Sequence, residues 1–311
     1  MSSKRSFASS LLMVRPLKFG ANESTMLDNA FQKKSPLTNE EVSQKALAEF
    51  DGFARKLTEA GLKIHVVQDQ MGERAPDSVF PNNWFSTHPD GNVFLYPMKA
   101  PNRRLERRNP VIEELKRNFK VQEVLDLSRH EDSNRFLEGT GSIVFDHKNR
   151  LAFAAISERT DKALFLEHCK RLEYEPICFD AADESGNSVY HTNVMLAVAD
   201  KFAIACLDMI PDLREKERLK DAISNGGKSL IDVSYHQALK FCCNCLQASS
   251  EDFKEKLTLA MSQQAWEAFT PAQKELILDS SVPVVSPLYT IEAAGGGGAR
   301  CMLSEIYLDP L

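Results

Sequence analysis

Four polar phrases stand at the entrances of apolar hairpins: Asn82-Asn83-Trp84, Glu138-Gly139-Thr140-Gly141, His191-Thr192-Asn193 and Cys243-Asn244-Cys245. Arg300-Cys301-Met302 supplies a fifth. Counted from Asn83, the steps to Glu138, His191, Asn244 and Cys301 are 55, 53, 53 and 57 residues. Periods above about 50 residues belong to propellers and arrays rather than to short solenoids. If each unit is a blade around an axis, equivalent positions converge on one end of that axis. Polar residues far apart in sequence then line one pocket.

Hydrophobic periodicity fills in the unit. Leu11–Arg15 reads as a strand, and Asn39–Ala60 as a helix in which Val42, Leu47, Phe50, Ala54 and Leu57 recur at helical spacing until Gly61 stops it. Leu62–Val67 is a further strand. Val79–Phe85, the turn Pro89-Asp90-Gly91-Asn92 and Val93–Tyr96 form a hairpin signature, followed by a helix from Pro110 to Phe119 and a strand at Val121–Leu127. The same order recurs from Ser142 to Phe179 and from Val194 to Ile223. Leu239–Leu246 begins another unit and Ala299–Leu308 the last. No Pro/Gly/Ser-rich linker separates the units, so residues 11–311 are expected to form one α/β catalytic domain behind a ten-residue N-terminal extension.

Composition bounds the function. Lys+Arg 38 against Asp+Glu 44 gives a net charge of -6, which disfavours phosphate-backbone binding, so no nucleic-acid partner is expected. The one basic cluster, Arg103, Arg104, Arg107 and Arg108, reads as a solvated approach to a helix. No stretch approaches the roughly 18 apolar residues of a membrane span, and the apolar run Leu11–Val14 is too short for a signal-peptide core. Seven cysteines, most inside apolar runs, fit reduced, buried thiols in the cytoplasm better than a disulfide framework. Cys242, Cys243 and Cys245 lack a second pair at zinc-site spacing, so no metal is expected.

Chemistry points to Cys301. It follows Gly295-Gly296-Gly297-Gly298-Ala299-Arg300, and four glycines in a row suit a backbone that turns with positive φ, moves, or approaches a ligand closely. The run lacks the ending of a nucleotide loop, and a mobile gate delivering Cys301 is the expectation. His191 and Glu138 hold the same phase two and three units earlier. A thiol that attacks, an imidazole that moves protons and an acid that orients the imidazole together make a nucleophilic centre. Asp77, on the approach to Asn82 and Asn83, is a candidate second carboxylate, and a turn residue after Pro76 is an equal reading.

At these residues the sequence resembles the guanidine-modifying superfamily, which includes arginine deiminases, dimethylarginine hydrolases, succinylarginine dihydrolases and glycine amidinotransferases. Met13-Val14-Arg15-Pro16, Phe19-Gly20, Asn22, Thr25, Asn29, Phe31-Gln32, Phe80-Pro81-Asn82-Asn83-Trp84, Glu138-Gly139-Thr140-Gly141-Ser142 and the Gly-rich approach to Cys301 look like its citrulline-utilisation hydrolase group. The resemblance implies a five-bladed α/β propeller, the pentein fold, with pseudo-fivefold symmetry and the active site on the axis. It makes Cys301 the nucleophile, His191 the general acid/base and Glu138 the acidic partner. No cofactor is implied, because the thiolate supplies the electron pair.

Two departures from the deiminase pattern bear on substrate. The histidine motif His-x-Asp stands here as His191-Thr192-Asn193, and the early Arg-Asp stands as Asn82-Asn83. Amides also donate hydrogen bonds, which suits a neutral ureido group, so the expected partner is a small-molecule amino acid, citrulline first. Arg15 and Arg300 are candidates to hold its α-carboxylate. An arginine deiminase, dihydrolase or amidinotransferase would use the same residues, and a non-catalytic binding propeller is the alternative of a different class. Assembly into a homo-oligomer stays open.

Overall fold

The computed structural model describes residues 6–26, 29, 31–33, 36–250, 252 and 256–311; of the expected N-terminal extension, residues 1–5 lie outside them. Among the described residues fifteen strands form five three-stranded sheets of one design. Four follow the chain: β3–β5 (Phe85–Thr87, Asn92–Leu95, Glu123–Asp126), β6–β8 (Val144–Asp146, Leu151–Ile156, Glu175–Asp180), β9–β11 (Leu196–Val198, Phe202–Ala205, Ser229–Asp232) and β12–β14 (Leu246–Ala248, Leu257–Ser262, Ser281–Ser286). The fifth joins the chain ends: β1 (Ser10–Arg15) lies between β2 (Lys63–Gln68) and β15 (Ser304–Ile306), with Leu12 opposite Ser304 and Ser10 opposite Ile306. The result is the five-bladed α/β propeller of the pentein fold.

Within each sheet the middle strand pairs antiparallel on one side and parallel on the other. The parallel partner demands a long crossover, and a helix supplies it each time: Asn39–Glu59, Asn109–Asn118, Lys162–Leu172, Leu213–Asn225 and Pro271–Ser280. The first shows why. Thr38 and Glu41 close a capping box, while Val42, Ala46, Phe50, Phe53 and Leu57 bury one face. Gly61, at φ +77, ends it where a side chain would be strained.

Just before the antiparallel outer strand of each sheet the chain makes a tight turn. Four are short helical turns, Pro81–Asn83, Gly139–Ser142, Thr192–Val194 and Ala299–Met302, and the fifth is a turn at 241–243. These are the polar phrases of the repeat. Val79–Phe85, expected as a strand, is this turn followed by β3, and Leu239–Leu246 is likewise a turn ahead of β12. The polar side chains point to the axis and leave the ladder, so alternation failed as a signal there. Three helices and two strands after Leu246 escaped the periodicity altogether: Gln263–Ala268, Pro271–Ser280, Tyr289–Gly295, β13 and β14. No helix among the described residues is long and apolar enough to cross a membrane, and all seven cysteines are buried and unbridged.

The basic cluster departs from expectation. Arg103 is 2% exposed, and its guanidinium forms a two-point bond to Glu106 at 2.9 Å. Arg107 reaches Glu131 at 2.6 Å, and Arg108 lies 3.7 Å from Asp69. Glu106, three residues on, and the distant carboxylates Glu131 and Asp69 turn these arginines inward, which a local charge count does not reveal.

Candidate active site

The five turns meet at one end of the axis, bringing Cys301, His191 and Glu138 into one buried cluster, none more than 3% exposed. Glu138 Oε2 lies 2.8 Å from His191 Nε2, and Oε1 accepts the Lys99 backbone N–H at 2.9 Å. Arg159 and Arg103 stand 3.6 and 3.8 Å from the same Oε2. Burial alone would raise the Glu138 carboxyl. Arg159, the His191 hydrogen bond and Arg103 outweigh it and hold the group at about 2. Arg135, a neighbour in sequence, instead pairs with Asp161 and Glu167.

An ionised carboxylate accepts only, so the His191 proton sits on Nε2 and Nδ1 keeps its lone pair. Burial lowers the His191 pKa against the pull of Glu138, so the resting ring is neutral. Gly141 keeps Nδ1 open: a Cβ there would stand 2.8 Å from it and 2.4 Å from Asn83 Nδ2. Burial also raises the Cys301 thiol, against the Asn244 hydrogen bond, the Arg300 charge and the Asn193 hydrogen bond. Thiol and imidazole are therefore both neutral at rest.

Around this centre four buried polar atoms lack a partner: Asp77 Oδ1, Asn82 Oδ1, Asn83 Nδ2 and Asn193 Oδ1. Their other halves are anchored. Asp77 Oδ2 accepts from Asn22 at 2.7 Å and lies 3.5 Å from Arg103. Asn82 Nδ2 reaches Thr140 Oγ1 at 3.3 Å, Asn83 Oδ1 accepts from Arg103 Nη1 at 3.0 Å, and Asn193 Nδ2 donates to Cys301 Sγ at 3.4 Å. Orphaned buried groups cost stability unless something completes them, and here they cluster around a thiol.

Arg15 and Arg300 stand apart from this set. Arg15, at the end of β1, is bonded to Asp51 at 2.7 and 2.8 Å in a partly exposed pair. Arg300 turns its guanidinium onto the Leu303 carbonyl and Glu305, both at 2.8 Å. Neither offers a free fork to a carboxylate.

The glycine run is a packed closure rather than a loose gate. Residues 295–298 are all buried. A Cβ at Gly297 would stand 2.9 Å from the Phe80 ring, and Gly296, at φ +66, lies against the Asn29 side chain. Tyr190 donates its hydroxyl to the Gly296 carbonyl at 2.6 Å. Close approach, not mobility, explains these glycines.

Sequence reasoning missed Arg103, Arg159 and Asn244 as members of the cluster. For Asn244 the signal was present, since it falls in phase with His191 and Cys301. The two arginines carry none, because only folding sets them beside Glu138.

A five-bladed α/β propeller whose turns gather a thiol, an imidazole and a carboxylate on its axis defines the guanidino-modifying pentein superfamily of C–N hydrolases, and this enzyme is of that class. Residues 15–308 match N,N dimethylarginine dimethylhydrolase, eukaryotic, and the chain belongs to that family. No curated protein sequence matches it. Among solved structures it is similar to the product-bound N-terminal domain of ArgZ, an arginine dihydrolase from the ornithine-ammonia cycle in cyanobacteria. The TM-score is 0.74 at 17% identity, over 96% of this chain and 97% of that one. AgrE in complex with ornithine and NAD+ gives 0.74 at 18% identity, over 97% of this chain and 39% of the longer AgrE chain. A dimethylarginine dimethylaminohydrolase adduct with S-methyl-L-thiocitrulline gives 0.63 at 15% identity, over 96% and 99%. At these identities the likeness is one of fold.

Proposed function

We propose that the enzyme hydrolyses the ureido C–N bond of citrulline, giving ornithine, ammonia and carbon dioxide, with Cys301 as nucleophile. One observation carries the choice of a ureido group. Arg103 can only donate, so it fixes Asn83 with Oδ1 toward the guanidinium and Nδ2 as an unpaired buried donor beside His191 Nδ1. A ureido carbonyl accepts that hydrogen bond, whereas a guanidinium has no acceptor to offer. Asp77 Oδ1, Asn82 Oδ1 and Asn193 Oδ1 then take the substrate's N–H groups.

In the reaction the thiol proton passes to His191 Nδ1 and the sulfur attacks the planar carbon. The protonated imidazole, held by Glu138, returns the proton to the departing ornithine amine as the C–N bond breaks. A Cys301 thiocarbamate remains. Water, deprotonated by the same Nδ1, attacks it; sulfur leaves and recovers a proton, and the released carbamate decomposes to ammonia and carbon dioxide. The electron pairs all come from sulfur, water and the substrate. Seven buried, unbridged cysteines support a reducing compartment, the cytoplasm.

A guanidino substrate is the second reading. It is supported by the family match, by the arginine dihydrolase activity named for ArgZ, and by the buried carboxylates Asp77, Glu106 and Glu138 standing against only Arg103 and Arg159. Mass spectrometry of the protein quenched during turnover with citrulline, arginine or dimethylarginine separates the two. The expected result is a mass increase on the tryptic peptide holding Cys301 with citrulline, together with free ornithine. Citrulline left untouched while arginine or dimethylarginine is consumed establishes the second reading. Transfer of the amidino group to an added amine identifies an amidinotransferase, and labelling at Cys206 or Cys243 overturns the site.

A further inference from the structure

Asn244 belongs to no role derived so far, yet it touches the sulfur. It is fully buried in the turn ahead of β12, and its Nδ2 donates to Cys301 Sγ at 3.3 Å and to the Asn193 carbonyl at 3.0 Å. The orientation is fixed, because Oδ1 accepts the Arg300 backbone N–H at 3.0 Å, and a backbone N–H is a donor only. Asn193 supplies a second amide N–H to the same sulfur at 3.4 Å.

A second, independent observation concerns the backbone that presents Asn244. Phe241 sits at φ +63, in the left-handed region that a bulky residue adopts only at a cost, and its carbonyl accepts the Asn244 N–H at 2.9 Å. Across from it, a Cβ on Gly298 would lie 2.9 Å from Asn244 Oδ1. Strain on one side and a missing side chain on the other both serve to seat this amide against Cys301.

Among the described residues no cationic side chain hydrogen-bonds the sulfur, and the Arg300 charge acts on it only through space. Arg300 is turned onto Glu305, His191 is held by Glu138, and the Tyr190 hydroxyl is committed to the Gly296 carbonyl. The two amides are the side chains that donate to it.

We propose that Asn244 and Asn193 form a two-donor amide cradle that stabilises the Cys301 thiolate, which makes Asn244 a catalytic residue. Ionisation moves the thiol proton to His191 Nδ1 and leaves the electron pair on sulfur between the two N–H groups. Asn193 also couples the cradle to the ligand. Its Oδ1 is buried and unpaired, so a substrate N–H donating there polarises the amide and strengthens the N–H···S bond at its other end. Burial raises the thiol, and the Asn244 hydrogen bond, the Arg300 charge and the Asn193 hydrogen bond lower it, in that order. The proposal rests on Cys301 as the nucleophile but not on which substrate it attacks.

The test is a pH titration of thiolate absorbance in the full chain without substrate, each protein measured against its Cys301→Ser counterpart. Asn244→Ser is expected to raise the Cys301 midpoint by about one pH unit, a tenfold loss of thiolate at a given pH, and to shift the acidic limb of the kcat/KM profile with it. Asn193→Ser, in a different blade, is expected to move the same midpoint, which keeps the proposal testable if Asn244→Ser fails to fold. An unchanged midpoint in a folded variant overturns the cradle. The nucleophile reading fails separately, through the absence of any substrate adduct on Cys301 in the wild type.

Discussion

Two buried polar networks lie within this propeller, and they differ in one respect. Between the blades β3–β5 and β6–β8, His168 Nε2 meets the Tyr96 hydroxyl at 2.9 Å, Tyr96 meets Ser86 at 2.7 Å, and Ser86 meets His88 Nε2 at 2.8 Å. Every group in that chain has its partner. The axial network around Cys301 is as deeply buried, but Asp77, Asn82, Asn83 and Asn193 each keep one unpaired atom. A polar network closed on itself holds a structure together, while one left open toward a nucleophile is waiting for a ligand.

The sharpest way to break the comparison is Glu138→Gln. The amide cannot stabilise an imidazolium, so kcat is expected to fall by about 10²- to 10⁴-fold in steady-state assays. A loss under tenfold would put Glu138 among the structural groups instead. The closed network is expected to respond to acid. Burial drives the pKa of both His88 and His168 down to about 3 from 6.5. Between those values the unfolded chain binds more protons than the folded one, so stability falls as pH drops through that window. Each histidine contributes up to about 1.4 kcal/mol per pH unit, a slope that denaturant melts at stepped pH measure and that neutral replacements at both positions flatten.

Tyr96→Phe removes the hydroxyl shared by His168 and Ser86. It is expected to cost about 1–3 kcal/mol of stability with kcat/KM unchanged; a kinetic defect without a thermal one would erase the distinction between the networks. Arg15→Ala breaks a half-exposed pair with Asp51 and is expected to cost less than about 1 kcal/mol and leave turnover intact. A raised KM would return Arg15 to the substrate site.

Much of this was legible before folding. The spacing of Glu138, His191, Asn244 and Cys301 announced a repeat, and the helix from Asn39 was written in its apolar stripe. The turns at Asn82–Asn83 and Phe241–Asn244 were misread as strand because their side chains serve the axis rather than a sheet face. The glycine run looked mobile because glycine's conformational freedom is a local property, whereas the packing of Phe80 and Asn29 against it is not.

The sequence by itself therefore determined the number of blades and which residue types arrive at the axis, since both follow from a period and from local composition. Only the tertiary structure decided the charge and orientation of those groups. Arg103 beside Glu138, the Arg300 backbone N–H on Asn244 and the Asn193 amide on Cys301 are contacts across blades, and Arg159 reaches Glu138 from the other end of its own blade's hairpin. Electrostatics and hydrogen bonding act over a few ångströms of space, however many residues of chain lie between the partners.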